Sequence, residues 1–280
     1  MVTRIGFGKL GNIGCAPLLE FLLDERAERD DIEVRTIGSG AKMGLEQASE
    51  VAHAILAFKP DLAVVTSPNC TLPGPTRLRE LLSKGTLTIV ISDGPAKKAA
   101  QDIEKVGAGY LIAEADSMIG ARREYLDPTE MALFNADIMK VLSVSGVLNV
   151  IWRELDKVIQ TIQKKETPTL PRIVIDKEKA IERSQLNNPY AIAKALAAHE
   201  IARRVSDLTF EACFIVKDWE RYTRLVSAAH EMMRDAARLA DEAREIEKSQ
   251  DSVVRTPHQK DGQMLFKQKL IEKPKKPEEK

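Results

Sequence analysis

The feature that most constrains the fold of this chain is the alternation of short apolar strands and helical segments over its first ~125 residues. Buried parallel strands are expected to be short and rich in Ile, Val and Leu, and this pattern recurs at about 2–8, 32–38, 61–66, 86–91 and 109–113. Helical patterns fill the intervals, at about 13–29, 44–58, 76–84 and 96–105. Each crossover has the length of a βαβ unit. We therefore predict an α/β fold with a parallel Rossmann-like sheet that carries helices on both faces.

The character of the chain changes near residue 127. Asp127-Pro128-Thr129-Glu130 is typical of a helix start, and apolar residues then recur at helical spacing as far as Ile162. This predicts one long helix, a short extended piece at 172–175, and two further helices at about 189–205 and 218–248. Asp261-Gly262 predicts a hairpin over about 253–271. We expect an α/β coenzyme-binding domain (1–126), a helix-bundle domain (127–250), a β-hairpin segment (251–272) and a flexible tail (273–280).

Charge and cysteine content disfavour several classes of protein. The 42 basic residues equal the 42 acidic ones, and no basic stripe with interleaved aromatic residues is present, so we expect no nucleic-acid partner. No apolar run is long enough to span a bilayer, and we expect no membrane association. The three cysteines are scattered, which favours a cytoplasmic protein with free thiols.

Four polar or glycine-containing loops follow predicted strands and meet at one edge of the predicted sheet, where open parallel sheets bind ligands, and three of them carry the candidate site residues. The first loop supplies Gly8, Gly11, Asn12 and the start of a helix at Ile13, a context that suits an anionic group. The other two read Thr66-Ser67-Pro68-Asn69 and Ser92-Asp93-Gly94-Pro95. Glycines serve tight strand–helix packing about as often as phosphate binding, and Asp93 taken alone is more typical of a cap than of a functional group. The prediction of a site rests on the convergence of the loops.

The end of the second predicted strand argues against NAD. A dinucleotide site usually places an acidic residue there to hold the adenosine ribose. Here residues 34–40 read VRTIGSG, without an acid. NADP, or a phosphorylated coenzyme without adenosine, fits better. Ser39, Gly40 and Lys42 suit an anionic group, and a polar turn with a solvated lysine explains them equally well.

A loop of mixed charge, residues 114–127, joins the sheet to the helices. Its paired arginines, Arg122 and Arg123, suit a carboxylate or phosphate clamp, and a salt-bridge network at a hinge is the alternative interpretation. Met118 and Gly120 suit the wall of a ring-binding pocket, or simple packing. The segment 229–234 carries His and Glu without a second His at zinc-ligand spacing, so no metal site is predicted.

Long, unusual motifs make the chain resemble the coenzyme F420-dependent methylenetetrahydromethanopterin dehydrogenases of archaeal one-carbon metabolism. They are GNIG (11–14), LLDERAERDDIEVR (22–35), GSGAKM (38–43), GARREYLDPTEMALFNADIMKVL (120–142), NPYAIAKALAAHEIA (188–202), SAAHEMMRDAARLADEAREIEKS (227–249) and VRTPHQKDG (254–262). The resemblance implies reversible hydride transfer between methylene-tetrahydromethanopterin and F420. The products would be methenyl-tetrahydromethanopterin cation and reduced F420. It also implies F420 as a dissociable cosubstrate, no metal, no tightly bound flavin, and a homohexamer.

The resemblance directs the predicted loops to specific ligands. We expect the deazaflavin ring of F420 at Gly8, Gly11, Asn12, Ile13, Thr66, Ser67, Pro68, Asn69, Ser92, Asp93, Gly94 and Pro95. We expect the pterin at Asp116, Met118, Gly120, Arg122, Arg123 and Asp127, with Asp116 stabilising the developing cation. The alternatives are an NADP-linked oxidoreductase acting on another one-carbon carrier, and a non-catalytic ligand-binding subunit of an oligomer.

Overall fold

The structure is a computed structural model that describes residues 2–25 and 28–276. The described residues form a parallel sheet of six strands in the order β2-β1-β3-β4-β5-β6. The strands are Thr3–Lys9 (β1), Ile32–Gly38 (β2), Leu62–Ser67 (β3), Leu87–Asp93 (β4), Gly109–Ala113 (β5) and Arg172–Ile175 (β6). The prediction of a parallel α/β sheet is confirmed. β6 was predicted only as an extended piece within the helical half, and it pairs with β5 as the edge strand.

The helices cover both faces of this sheet. They are Cys15–Asp24 (α1), Leu45–Ala57 (α2), Pro73–Leu82 (α3), Ala100–Lys105 (α4), Pro128–Val144 (α5), Val147–Gln163 (α6), Lys177–Glu182 (α7), Pro189–Phe210 (α8) and Trp219–Ser249 (α9). A 3₁₀ helix spans Gly94–Ala99, and a π-helix, Glu211–Ile215, follows α8. The predicted helix over 13–29 is shorter than expected, because α1 ends at Asp24; the part of that prediction at 26–27 lies outside the described residues.

The prediction of one long helix from Pro128 to Ile162 is wrong. Gly146 has φ of +96°, a backbone conformation that L side chains rarely adopt, and it separates α5 from α6. A Cβ at this position would lie 2.0 Å from the Ala180 carbonyl oxygen, so the break also admits the close approach of α7. The axes of α5 and α6 differ by 68°. Taken together, this bent pair has the length and apolar composition of a membrane-spanning segment, and no single helix among the described residues has both.

The core lies on the two faces of the sheet. One face packs Val51, Leu78 and Ile103 of α2, α3 and α4. The opposite face packs strand residues such as Phe7 together with Ile138 of α5 and Met233 of α9 in one continuous cluster. The sheet and the helical half therefore share a core, and β6 comes from the segment that we assigned to the helix bundle. The proposed domain boundary at 126/127 stays a prediction.

The C-terminal segment is an irregular hairpin. Antiparallel bridges join Arg255 to Lys267 and His258 to Met264, and Gly262 makes the turn with φ of +81°. The flexible tail was predicted to begin at residue 273. Instead Lys275 pairs with Phe266 through two backbone hydrogen bonds of 2.8 Å, so 273–276 extend the hairpin. The rest of that prediction, 277–280, lies outside the described residues.

A buried group of charges fastens this hairpin to the rest of the molecule. The imidazole of His258 is fully buried and bonds through Nδ1 to Glu25 and through Nε2 to Asp156, the latter at 2.8 Å. Arg29 bonds to Asp31 through two nitrogens, at 2.9 and 2.8 Å, and lies 3.7 Å from Asp156. We call these five residues the hairpin latch. Each of its carboxylates has a cationic partner inside the group.

Candidate active site at the carboxyl edge of the sheet

The strand order reverses between β1 and β3, and an open α/β sheet binds ligands beyond the carboxyl ends of its strands at this point. Hydrogen bonds join the loops that meet there. The Leu10 amide donates to the Thr66 carbonyl at 3.0 Å, which ties the loop after β1 to the end of β3. The Ser92 hydroxyl donates to the Ser67 carbonyl at 2.7 Å, which ties β4 to β3. The convergence predicted from the sequence is thus present, and we call these loops the sheet-edge site.

The glycines of the first loop have different structural roles, one in a turn and one in packing. Gly11 has φ of +76°, and a Cβ there would lie 2.6 Å from Met43 Sδ and 2.9 Å from Pro68 Cδ, so the turn requires glycine. Its amide donates to the Gly40 carbonyl at 3.0 Å. Gly8 lies inside β1, where a Cβ would meet Ile55 Cδ1 at 2.7 Å. This glycine therefore permits close packing of α2 on the strand, and its assignment to the coenzyme site stays a prediction.

The N-terminus of α1 is occupied by a side chain of the protein itself. Asp116 is fully buried, and its two carboxylate oxygens accept hydrogen bonds from the Gly14 amide at 2.7 Å and the Cys15 amide at 2.8 Å. Burial raises the pKa of Asp116, and the hydrogen bonds from Cys15 and Gly14 oppose that rise. We predicted an anionic ligand group at this helix end and a cation-stabilising role for Asp116. The carboxyl group of Asp116 itself takes the anion position at this helix end, and both assignments stay predictions.

Below the loops lies a buried floor. Its members from our predicted set are Ile13, Thr66, Ser67, Pro68, Ser92 and Asp93. Ile13 packs in the core. Ser92 is satisfied twice, because it also accepts the Cys70 amide at 3.2 Å. Thr66 Oγ1 and Asp93 Oδ1, in contrast, are buried without a hydrogen-bond partner among the described residues. Unpaired buried polar atoms are rare in native proteins and call for an explanation.

The accessible rim above this floor consists of Gly11, Asn12, Asn69, Gly94 and Pro95. Asn12 is exposed and donates through Nδ2 to Asn135 Oδ1 of α5 at 3.1 Å, so the rim reaches the helical half. Asn69 accepts from the Thr71 amide and hydroxyl, which fixes the turn into α3. A Cβ at Gly94 would meet only the Glu114 backbone, at 3.8 Å, so the main chain is approachable there.

The paired arginines of the junction loop have opposite environments. Arg122 donates from one terminal nitrogen to the carbonyls of Ala212, Cys213 and Val216, at 3.1, 3.2 and 2.9 Å. Its guanidinium lies 4.3 Å from the centre of the Tyr222 ring. Arg122 therefore holds the end of the π-helix, and the clamp proposed for it stays a prediction. Arg123 is 95% exposed on its side chain and pairs with Glu124 at 3.7 Å.

The remaining residues predicted for substrate binding also include both structural and accessible positions. Gly120 packs against Val226, where a Cβ would lie 2.4 Å from a methyl carbon, so its role is close packing. Asp127 caps α5 by accepting the Glu130 amide at 2.7 Å, as predicted for the helix start. Met118 is half-buried and keeps an accessible face. Met118 and Arg123 are therefore members of the predicted set that this loop leaves accessible to a ligand.

Sequence reasoning missed a cluster around His230. Its Nδ1 lies 2.8 Å from Glu130 Oε1, and the same oxygen accepts the Tyr125 hydroxyl at 3.1 Å. Burial lowers the pKa of His230, and its Nε2 has no partner in the described part of the chain. The signal was present, because His230 falls four residues after Val226 and three before Met233 on the apolar stripe of α9. The cluster secures the junction loop to α5 and α9.

Other parts of the structure provide weaker candidates for a ligand or metal site. Across residues 2–25 and 28–276, no group of three or more His, Cys, Asp or Glu side chains is placed to hold a metal ion. A cavity of about 450 Å³ lies between α6, α7 and the hairpin. None of the predicted site residues lines it, and its basic side chains, such as Lys157, are accompanied by acidic ones, such as Glu154.

Comparisons with known proteins agree on one family. The family model for methylene-5,6,7,8-tetrahydromethanopterin dehydrogenase matches residues 3–275. The F420-dependent methylenetetrahydromethanopterin dehydrogenase of Archaeoglobus fulgidus is 55% identical over 274 residues, covering 98% of this chain and 100% of that one. The enzyme of the same name from Methanothermobacter marburgensis is 48% identical over 275 residues, with the same coverage. A solved structure of such a dehydrogenase, in complex with methylene-tetrahydromethanopterin and coenzyme F420, has a TM-score of 0.95 at 45% identity, covering 98% of this chain and 100% of that one.

Proposed function

The chain belongs to the methylene-5,6,7,8-tetrahydromethanopterin dehydrogenase family, and we propose on this basis that it is an F420-dependent oxidoreductase. It transfers a hydride reversibly between methylene-tetrahydromethanopterin and F420, giving methenyl-tetrahydromethanopterin cation and reduced F420. The observation that carries this proposal is full-length similarity, at 45% identity and a TM-score of 0.95, to a dehydrogenase solved with both of these molecules. F420 acts as a dissociable cosubstrate.

The residues at the sheet edge suit direct hydride transfer. Such a step needs two rings held close together in a site shielded from water more than it needs a nucleophile. Gly94 leaves the main chain open to a flat ring, and Asn12 and Asn69 offer amide groups at the rim. We assign the F420 ring to this rim and the pterin to the side of the junction loop, where Met118 and Arg123 are accessible. We assign the phosphate of F420 to a place other than the α1 N-terminus, because Asp116 already accepts from the amides there.

A homohexamer in the cytoplasm is also part of this proposal. Large apolar side chains are exposed where α8 turns into α9, namely Phe210, Phe214, Ile215 and Trp219. Exposed apolar groups of this kind are typical of surfaces that bind another chain. The free cysteines, two of them buried, are in keeping with a reducing compartment.

An anaerobic absorbance assay tests the function directly. Purified protein is mixed with oxidised F420 and methylene-tetrahydromethanopterin, and a parallel cuvette contains NADP in place of F420. We expect loss of the deazaflavin absorbance with F420 and no change with NADP. Turnover with NADP alone would replace this function by an NADP-linked reaction. Binding of F420 without turnover would leave a ligand-binding subunit.

A further inference from the structure

Asp93 combines burial with an unused hydrogen-bonding atom. It is the last residue of β4 and is 2% exposed, and its Oδ1 has no partner among the described residues. Ile91, two residues earlier, packs on the face of the sheet that carries α1 and α5. Side chains alternate along a strand, so Asp93 lies on that same face. The other unpaired buried atom of this edge, Thr66 Oγ1, lies two residues beyond Val64 on the same face of β3.

The electrostatic surroundings of Asp93 favour its neutral form. Burial raises its pKa well above the ordinary range, and the nearby Asp116 carboxylate raises it further. Asp116 accepts two amides from α1, and among the described residues no hydrogen bond to the Asp93 Oδ1 atom is present, which favours the neutral form on Asp93. Burial also raises the pKa values of the neighbouring thiols, to about 11 for Cys70 and well above its usual range for Cys15. Glu114, at the end of β5, is paired with Lys97.

The function proposed above needs a proton as well as a hydride. The hydride leaves the methylene carbon with both electrons of its C–H bond, and the carbon keeps the positive charge. Oxidised F420 gains two hydrogens on reduction, of which the hydride is one. The second must arrive as a proton, and a neutral carboxyl group beside the ring is a suitable donor.

We propose that Asp93 donates this proton from its carboxyl group when F420 is reduced, and that its carboxylate takes the proton back when reduced F420 is oxidised. The balance is one hydride from the methylene carbon and one proton from Asp93, giving the methenyl cation, reduced F420 and the Asp93 carboxylate. Water returns the proton after the products leave. This inference rests on the proposed function and adds a proton donor to it.

Three variants separate this role from a structural one. Asp93→Asn preserves the size of the side chain but cannot release a proton. Asp93→Glu restores a carboxyl group. Asp102→Asn is the matched control, because Asp102 is exposed on α4 and pairs with Lys105. All three are compared with the wild-type protein for F420 affinity, for kcat across pH, and for the solvent isotope effect on kcat.

We expect Asp93→Asn to bind F420 with an affinity within about threefold of wild type and to lose about 100-fold in kcat. In the wild type, kcat for F420 reduction should fall as pH rises through the pKa of Asp93, because the donor loses its proton. This limb of the profile should be absent in Asp93→Asn and present in Asp93→Glu. Asp102→Asn should match the wild type throughout. An Asp93→Asn kcat within threefold of wild type, with the same pH profile, would overturn the inference.

An infrared measurement on the ligand-free protein gives a readout independent of turnover. The difference spectrum between wild type and Asp93→Asn at neutral pH should contain the C=O stretch of a protonated carboxylic acid. A difference spectrum that contains carboxylate bands and lacks this C=O stretch would overturn the inference, whatever the kinetic results. A wild-type protein that does not reduce F420 at all would instead overturn the proposed function, so the two failures are distinguishable.

Discussion

The sheet-edge site and the hairpin latch both bury acidic side chains, but they differ in how far these carboxyl groups are hydrogen-bonded and paired with cations. In the latch, Asp156 accepts from His258 and from Trp152 Nε1 at 2.8 and 2.9 Å, with Arg29 beside it. At the sheet edge, Asp93 Oδ1 has no hydrogen-bond partner in the described part of the chain, and a second carboxyl group, Asp116, is its neighbour. The latch resembles a structural ion-pair network. The sheet edge retains an unfavourable arrangement, which is typical of sites whose residues are selected for chemistry.

Removing one charge from the latch should have the largest effect on stability. Asp156→Asn leaves Arg29 and His258 buried with less compensating charge, and breaking such a pair destabilises a protein by about 3 kcal/mol or more. The expected loss is measured as a lower urea midpoint. Asp207→Asn is the control, because its partner Arg204 is exposed and surface pairs contribute little. Equal midpoints for the two variants would contradict the description of the latch.

The stability of the latch should depend on pH through His258. Burial lowers the pKa of His258, but its hydrogen bonds to Asp156 and Glu25 outweigh burial and raise it overall. The stabilisation is therefore complete below the ordinary histidine pKa and disappears as pH rises through the raised value. We expect His258→Gln to lower the free energy of unfolding by about 2 kcal/mol at acidic pH. The difference should shrink at alkaline pH. Urea titrations at several pH values measure this, and a difference that grows with pH would contradict it.

The smallest expected effect is a gain in the free energy of unfolding, whereas the latch variants lower it. The folded-state pKa of Asp93 is raised, so at neutral pH the folded protein must hold a proton that the unfolded chain releases, and this opposes folding. Asp93→Asn removes that opposition, and we expect the free energy of unfolding to rise by about 1 kcal/mol. Thermal unfolding at neutral pH and at pH ~4 measures it, and the gain should vanish at the lower pH. A destabilised Asp93→Asn would place Asp93 with the latch residues.

The sequence was informative where local patterns decide the outcome. Strand–helix alternation predicted five of the six strands, and turn chemistry predicted the Asp261-Gly262 hairpin and the Asp127 cap. The break at Gly146 was missed because the apolar spacing continues across it. The positive φ of this glycine and the close approach of the Ala180 carbonyl are tertiary features that the sequence pattern does not encode.

The location of the candidate site could be predicted from the sequence, but the hydrogen-bond partners of its residues could not. The loops converge because parallel strands share a carboxyl edge. The partners of Asp116 and Arg122 could not be predicted, since they lie about 100 and 90 residues away in sequence, at Gly14 and Ala212. Contacts of that range depend on tertiary packing, which short-range patterns do not encode.

The position of Asp116 at the start of α1 has a consequence for redesigning this protein. Enzymes that use nicotinamide dinucleotides commonly bind the pyrophosphate at this helix end. Here the chain carries its own anion in that place, joined to the Gly14 and Cys15 amides. Grafting a dinucleotide fingerprint onto residues 6–14 would therefore not be expected to confer use of NADP, because the incoming phosphate would have to displace the Asp116 carboxyl group from these two amides. An exchange of coenzyme would have to begin at residue 116, more than 100 residues away from the glycines that suggest it.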